Sequence, residues 1–279
     1  NILKPLNMSD TYLNEEIINK KVGKGYGAFF SFPIKRDEEF KKYSLPSGYI
    51  VSTASDMSKY LIFQLNGNYN GKELISDRGL KAMHSPAADE EHGYAMGWKI
   101  DEKFGHKIIE HGGSLYNFSA NAVLLPEKKS ALLLLINQNH LIYNIISNNQ
   151  LADNILRLLL NKDINLEEIN VIPLRSIFIV LLIIAIITII KDLYQIINIK
   201  KWEEKMKDKR KIKVIINISK DLVIPLILII GIPLTFKIIF KRGIVFLGAF
   251  YLLPGLLSWL IISCLLSVIK GGLKIMRLR

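Results

Sequence analysis

Residues 243–269 are 27 consecutive positions without a charged side chain, and this run restricts the fold more than any other feature of the chain. A helix rises 1.5 Å per residue, and a hydrocarbon core about 30 Å thick needs roughly 20 helical residues, so the run is long enough to cross a bilayer. Two shorter runs precede it. Residues 176–190 are apolar and uncharged, and 171–174 continue that run beyond Arg175, whose long stem lets its guanidinium reach the headgroups. Residues 222–236 form the other, continued by 238–240 past Lys237. The rest of the chain, about residues 1–160, is too small to bury three such helices in succession. The pattern predicts an all-α membrane region over 171–279, with helices at about 171–190, 222–240 and 243–269, joined to the rest by a polar linker at 161–170.

Charge then sets an orientation. Residues 1–170 carry 19 Lys/Arg against 20 Asp/Glu, whereas residues 171–279 carry 18 against 5. A basic balance raises the question of nucleic acid. Here the whole excess sits beside apolar runs, where anionic headgroups and the positive-inside rule account for it, and no nucleic-acid partner is expected. Ten Lys/Arg lie in residues 191–220 and four in the tail 270–279, against only Lys237, Lys241 and Arg242 between the second and third runs. With three spans, the loop 191–220 and the tail are expected in the cytoplasm and residues 1–170 outside the cell. Pro225, Gly231, Pro233 and Pro254-Gly255 are compatible with membrane helices. No apolar run holds an acid or a His at its middle, which favours an anchor over an ion path. The only cysteine, Cys264, lies in the third run, so no intrachain disulfide is possible.

The N-terminal half reads as a mixed domain. Thr53 followed by Asp56 is a capping-box pattern, Gly67 closes the helix it opens, and Met57, Tyr60, Leu61 and Leu65 recur at helical spacing. Pro46-Ser47-Gly48 is a turn ahead of that helix, and residues 76–84 predict a second, short one. The period then becomes that of strands. Residues 94–100 and 106–111 flank a hairpin turn at 101–105, and 120–125 and 131–136 flank another at 126–129. Residues 132–136 are continuously apolar, as expected of a strand covered on both faces. Residues 142–160 predict an amphipathic helix lying on that sheet.

Four segments in this order resemble the serine β-lactamase-related family of class C β-lactamases, D-peptidases and esterases. Lys4-Pro5-Leu6-Asn7-Met8-Ser9-Asp10-Thr11 resembles its "PLGM.DT" segment. Pro46 to Met57 is similar to its "aGGl.ST..Dl" turn into a helix, and Tyr94-Ala95-Met96-Gly97-Trp98 to its "YGlGW" strand. Glu110-His111-Gly112-Gly113-Ser114 occupies the place of its third active-site motif, Lys-Thr-Gly or His-Thr/Gly-Gly. The resemblance implies an α/β (α+β) half-domain with an antiparallel sheet of the β-lactamase/transpeptidase type over residues 1–160. It covers only the later half of the family's domain. The Ser-x-x-Lys nucleophile motif and the Tyr-x-Asn motif should lie upstream of Asn1, and a preceding segment is expected. Ser267 to Lys270 has the first spacing inside an apolar run, and Tyr12 to Asn14 the second but after the "PLGM" segment; both are read as coincidence.

Carried over by position, His111, Gly112, Gly113 and Ser114 are the substrate-binding residues, with the Ser114 N–H as one oxyanion donor. Acyl transfer by serine needs such backbone donors, and glycines let the substrate approach closely. A His where β-lactamases have a Lys weakens recognition of a β-lactam carboxylate and favours peptidase or esterase chemistry. The resemblance implies no cofactor. His84, His92, His106, His140 and Cys264 show no metal-ligand spacing, and Asp37-Glu38-Glu39 and Asp89-Glu90-Glu91 read as solvated loops. The expectation is a membrane-anchored extracytoplasmic serine hydrolase acting on an amide or ester such as a D-amino-acid cell-wall peptide, with these residues inert alone. Two other readings fit the same residues: a membrane-tethered binding or sensing module without catalysis, and a membrane protein whose spans do the work.

Overall fold

The computed structural model describes residues 2–15, 20–37, 40–86, 93–140, 149–164, 172–240 and 253–278. The chain forms two compact units, one of Asn1–Gly27 with Ile34–Val171 and the other of Ala28–Pro33 with Ile172–Arg279.

The first unit is built on a four-stranded antiparallel meander of β5 (Lys99–Lys103), β6 (His106–Ser114), β7 (Ser119–Leu125) and β8 (Ser130–Ile136), neighbours in that order. Its pleat sends successive side chains to opposite faces, and both faces are covered. Ile108, Val123, Leu125 and Leu132 pack with Ala152, Leu156 and Leu160 at the C-terminal helix α3 (Asn149–Leu159). Ile109, Leu124, Ala131 and Leu133 turn the other way and meet Leu61, Tyr60 and Leu65 of α1 (Ala54–Asn66), with Trp98 among them. Each fully buried aliphatic side chain contributes on the order of 1.5–3 kcal/mol, which explains the unbroken apolar run in β8. The part of the expected C-terminal helix at residues 142–148 lies outside the described residues.

Helix α1 begins and ends as its sequence requires. The Thr53 side chain accepts from the Asp56 N–H at 3.2 Å, and Gly67 takes the left-handed conformation (φ 70°) that closes the last turn. Asp56 also joins α1 to the N-terminal segment, its carboxylate accepting from the Asp10 N–H (2.7 Å), Thr11 Oγ1 (2.9 Å) and Lys59 Nζ (2.7 Å). Burial pushes the Asp56 carboxyl up, but these hydrogen bonds outweigh it and hold the group below its ordinary range. The short helix α2 (Asp77–Met83) is capped by Ser76, whose Oγ accepts from the Gly79 N–H.

Two sequence expectations change. The first hairpin turns on Phe104 (φ 57°) and Gly105 (φ 77°) alone, so residues 101–103 extend β5. Two adjacent left-handed residues make the turn whose twist matches its strands. Residues 94–98 are not a strand but a tight turn, with the Ala95 N–H donating to Trp98 O (2.7 Å) and Gly97 at φ 81°. Two hairpins were not anticipated, β1 (Tyr26–Phe29) with β2 (Phe32–Lys35) and β3 (Asn68–Tyr69) with β4 (Lys72–Glu73).

The second unit contains α4 (Ile172–Ile197), α5 (Ile199–Met206), α6 (Lys211–Phe240) and α7 (Pro254–Arg277). Among the described residues, three segments are long and apolar enough to cross a membrane: Arg175–Ile197, Lys211–Gly231 and Pro254–Arg277. Residues 241–252, which include the first part of the third apolar run, lie outside the described residues. The basic stretch 191–220 is largely helical, since α4 runs to Ile197 and α6 already begins at Lys211. Its lysines interrupt the hydropathy but not the helix: Val214 and Ile218, one turn apart, are buried.

Where these helices meet, four charges are almost fully enclosed. Lys270 Nζ lies 2.6 Å from Asp192 and 3.2 Å from Asp221, and Lys274 Nζ lies 2.6 Å from both Asp221 and Asn217. The Trp202 indole N–H donates to Asn217 Oδ1 (2.8 Å), and its ring underlies Lys274. Two lysines and two aspartates neutralise one another, which is how charge persists at a helix contact. Asp192 and Asp221 lie just outside the apolar runs 176–190 and 222–236, so hydropathy alone gives them no role.

Candidate functional site

The four residues singled out from the sequence are consecutive at the C-terminal end of β6, and all four are exposed. Their local geometry follows from where β5 stops. The β5–β6 register pairs Lys103 with His106 and ends at Lys99 opposite Glu110. Beyond Glu110 the strand keeps β7 as neighbour, with His111 opposite Ala122, Gly113 opposite Ala120 and Ser114 opposite Ser119. The Leu115 N–H donates to Phe118 O at 2.9 Å, which makes that pair hydrogen-bonded. In an antiparallel ladder such pairs alternate. Gly113 and His111 therefore bond to β7, and the N–H groups of Gly112 and Ser114 point to the other side, where β5 has ended.

That is the arrangement an oxyanion-binding strand needs: backbone donors aimed away from the sheet, with no side chain on the two residues between His111 and Ser114. A Cβ added at Gly112 would come no closer than 3.9 Å to Ala120 O, and one at Gly113 would meet only the Ala120 Cβ at 3.5 Å. The sheet itself does not require glycine at either position. Asn139, buried against this strand end, donates through Nδ2 to Ser114 Oγ (2.7 Å) and to the Leu115 carbonyl. It fixes the turn that follows the site.

His111 is held by the turn that replaced the expected strand. Its Nδ1 donates to the carbonyl oxygen of Gly97, and its ring meets Trp98 edge-on at 6.4 Å. The carbonyl can only accept, so this hydrogen bond requires a proton on Nδ1. Trp98 is buried and also meets His84 edge-on at 5.9 Å, while His84 Nε2 donates to Gln64 Oε1 at 2.9 Å. A stack of side chains thus runs from the core of α1 to the site. Burial holds His84 below its ordinary range, with the nearby Lys107 charge acting in the same direction. Gly97, Trp98 and Asn139 were not proposed as site residues from sequence; Gly97 and Trp98 lay inside a recognised motif, but only the folded turn aims the Gly97 carbonyl at His111.

The remaining candidates are dispersed. His106 Nδ1 donates to Glu127 Oε2 (2.8 Å) across the sheet edge, and this hydrogen bond lowers the Glu127 carboxyl. His140 is buried, which pushes its pKa down to about 4. Asp37 pairs with Lys35 at 3.1 Å; Glu38, Glu39 and residues 89–92 lie outside the described residues. Among the described residues no three His, Cys, Asp or Glu gather as a metal site would require. The Tyr12 hydroxyl donates to Asp10 (2.9 Å). Ser267 lies within α7, and Lys270, three residues on, is committed to Asp192 and Asp221. A lysine so engaged is not a general base, in keeping with a coincidental spacing.

The family model "Beta-lactamase" matches residues 1–156. Protein flp of Staphylococcus aureus (strain NCTC 8325 / PS 47) is 28% identical over 138 residues, 49% of this chain and 27% of that protein. The chain spans about a quarter of the length of the curated relatives it matches. Among solved structures, an octameric penicillin-binding protein homologue from Pyrococcus abyssi aligns with TM-score 0.47 and 23% identity, covering 58% of this chain and 36% of that one. A D-stereospecific amidohydrolase from Streptomyces sp. aligns with TM-score 0.40 and 18% identity, covering 49% and 42%.

Proposed function

Since the chain belongs to the beta-lactamase family, we propose that residues 111–114 form the oxyanion- and substrate-binding wall of a serine hydrolase anchored in a membrane by its three long helices. The observation that carries this reading is the end of β5 opposite Glu110, past which the N–H groups of Gly112 and Ser114 are directed away from β7. In the reaction a serine hydroxyl attacks an amide or ester carbonyl, and the carbonyl oxygen gains negative charge as the tetrahedral intermediate forms. Two N–H donors stabilise it, one from Ser114 and the other from the nucleophile's own backbone. Collapse expels the amine or alcohol and leaves an acyl-enzyme, which water hydrolyses. No Ser-x-x-Lys occurs within residues 1–156, so on this reading the nucleophile and its base are supplied from outside these residues.

His111 bears on the substrate. A histidine is not the permanent cation that the family's Lys is, and so attracts a carboxylate less. This favours substrates without a carboxylate at that position, such as peptides of D-amino acids or simple esters, over β-lactams. The outer placement of residues 1–170, with 191–220 and the tail in the cytoplasm, follows from the Lys/Arg distribution. Single cysteines at Lys207 and Glu127, in a Cys264→Ser background, test it in intact cells with a membrane-impermeant thiol reagent. Position 127 should react and position 207 should not, and the opposite pattern overturns the orientation.

A fluorophosphonate probe tests the chemistry. Residues 1–279 alone should take up no covalent label, whereas a longer polypeptide with Ser-x-x-Lys and Tyr-x-Asn ahead of them should be labelled at that serine. Labelling within residues 1–279 would mean that the nucleophile is misassigned. An unlabelled longer polypeptide would favour the rival reading, a binding module that keeps the sheet without the chemistry.

A further inference from the structure

The β1–β2 hairpin exposes side chains that a water-soluble turn would avoid. Phe29, Phe32 and Ile34 are 36%, 46% and 39% exposed, and Pro33 between them is exposed as well. The two strands form a sheet of their own, joined elsewhere only by a bridge from Tyr26 to Gln138 among the described residues, and no further strand lies beside Phe29, Phe32 or Ile34. Phe30 at the turn behaves differently. It is buried and seated on the first turn of α7, so closely that a Cβ on Gly255 would fall 2.5 Å from its ring and 2.7 Å from its backbone nitrogen. Gly255 is required there because backbone, and not only a movable side chain, fills the space. The tip, Ala28–Pro33, accordingly clusters with the long helices.

We propose that this hairpin tip is a membrane-insertion loop: Phe29, Phe32 and Ile34 enter the interfacial layer of the same bilayer that α4, α6 and α7 cross. The inference rests on the reading of those helices as membrane spans. Three observations select lipid as the occupant. Phe30 is seated on the first turn of α7, a helix long and apolar enough to cross a membrane, so its neighbours in the tip are held at that helix. The exposed side chains are aromatic or branched apolar, the types that settle at the level of the headgroups. The flanks are basic, with Lys20, Lys21, Lys24, Lys35 and Arg36 and no acid between residues 20 and 36, as an anionic lipid surface favours. Aromatic tip and basic flanks together give a loop its apolar burial and its headgroup contacts at once.

Collision accessibility of spin labels tests this on the whole chain in nanodiscs containing phosphatidylglycerol. Labels are placed singly at Phe29→Cys, Phe32→Cys and Ile34→Cys in a Cys264→Ser background, with Lys72→Cys and Ile183→Cys as references. Oxygen, which concentrates in lipid, should relax labels at 29, 32 and 34 more than a water-soluble nickel chelate does, with the order reversed at 72. A nickel preference at 29, 32 and 34 while 183 remains oxygen-accessible overturns the insertion loop and leaves the spans intact. A nickel preference at 183 as well overturns the membrane reading itself. Labels at 29 and 32 that are immobilised and become mobile on dilution to one chain per disc would assign the tip to a second copy, and would equally overturn the proposal.

Discussion

The carbonyl oxygen of Gly97 accepts a hydrogen bond from Nδ1 of His111, so a tight turn before β5 sets the tautomer of a side chain near the end of β6. The carbonyl is aimed by backbone conformation. Gly97 has φ 81°, and a Cβ there would meet no atom within 4 Å, so the position is restricted by strain and not by space. A left-handed alanine costs about 1–2 kcal/mol relative to glycine.

Gly97→Ala is therefore expected to fold but to shift the turn and release His111. ¹⁵N spectra of the imidazole should show the Nδ1–H tautomer in the parent and a mixture richer in Nε2–H in the variant. Identical spectra would show that Gly97 does not fix the ring. In a polypeptide that also carries the nucleophile, His111→Ala should raise KM more than it lowers kcat, since the proposed role of the residue is to orient substrate and not to act as the base.

Stability should fall as the pH drops below about 6.5. His140 is buried and its pKa is pushed down to about 4, and burial lowers His84 as well, so the unfolded chain binds protons in this window that the folded chain does not. The contribution is complete above the ordinary histidine value and is lost progressively as pH falls toward 4. Thermal melts of the detergent-solubilised chain between pH 7.5 and 4.5 should show this slope, and His140→Gln should flatten it. An unchanged slope would assign the acid sensitivity elsewhere.

Much of the first unit was legible because short-range rules act there without opposition. Thr53, Asp56 and Gly67 fixed the ends of α1 through capping, and the unbroken apolar run 132–136 in β8 revealed a sheet covered on two faces. The site motif was legible through resemblance. Its orientation was not, because the direction of the Gly112 and Ser114 amides depends on β5 stopping at Lys99, a matter of pairing register. The apolar runs located the helices, matching the start of α4 and the end of α6, but stopped short of the end of α4, the start of α6 and the end of α7. Hydropathy scores Lys211, Lys213 and Lys220 as interruptions, whereas a helix accommodates them by snorkelling or pairing. Asp192, Asp221, Lys270 and Lys274 are far apart in sequence and become one cluster only once three helices pack.

That cluster should behave as a coupled unit. Removing one partner of a buried ion pair leaves an uncompensated charge and costs about 3–5 kcal/mol, whereas replacing both partners with apolar groups is far milder. Asp221→Leu strips both Lys270 and Lys274 of a carboxylate and should markedly destabilise the packing of α4, α6 and α7. Asp221→Leu combined with Lys274→Met should recover most of the loss, since Lys270 keeps Asp192. SDS titration of helix content in mixed micelles reads the difference. Additive losses in the double variant would show that the ion pairs are not coupled.

The strongest test of the site concerns Gly113. A side chain there would meet only the Ala120 Cβ at 3.5 Å, an ordinary contact, and branched residues suit strands, so Gly113→Val should fold normally. Its cost should appear in turnover alone. The added methyl groups would stand where the substrate backbone must approach β6, and would hold the reacting carbonyl away from the Ser114 N–H. Loss of one oxyanion donor lowers kcat by roughly 10²–10³ in other serine hydrolases, so a drop of about a hundredfold is the expected floor. The measurement is kcat on an ester substrate, in a polypeptide that includes the nucleophile, beside Lys72→Ala in the exposed β3–β4 hairpin as control. Unaltered melting with lost turnover would mark β6 as the wall of the site. Turnover equal to the control would mean that the exposed edge of residues 111–114 serves something other than acyl transfer.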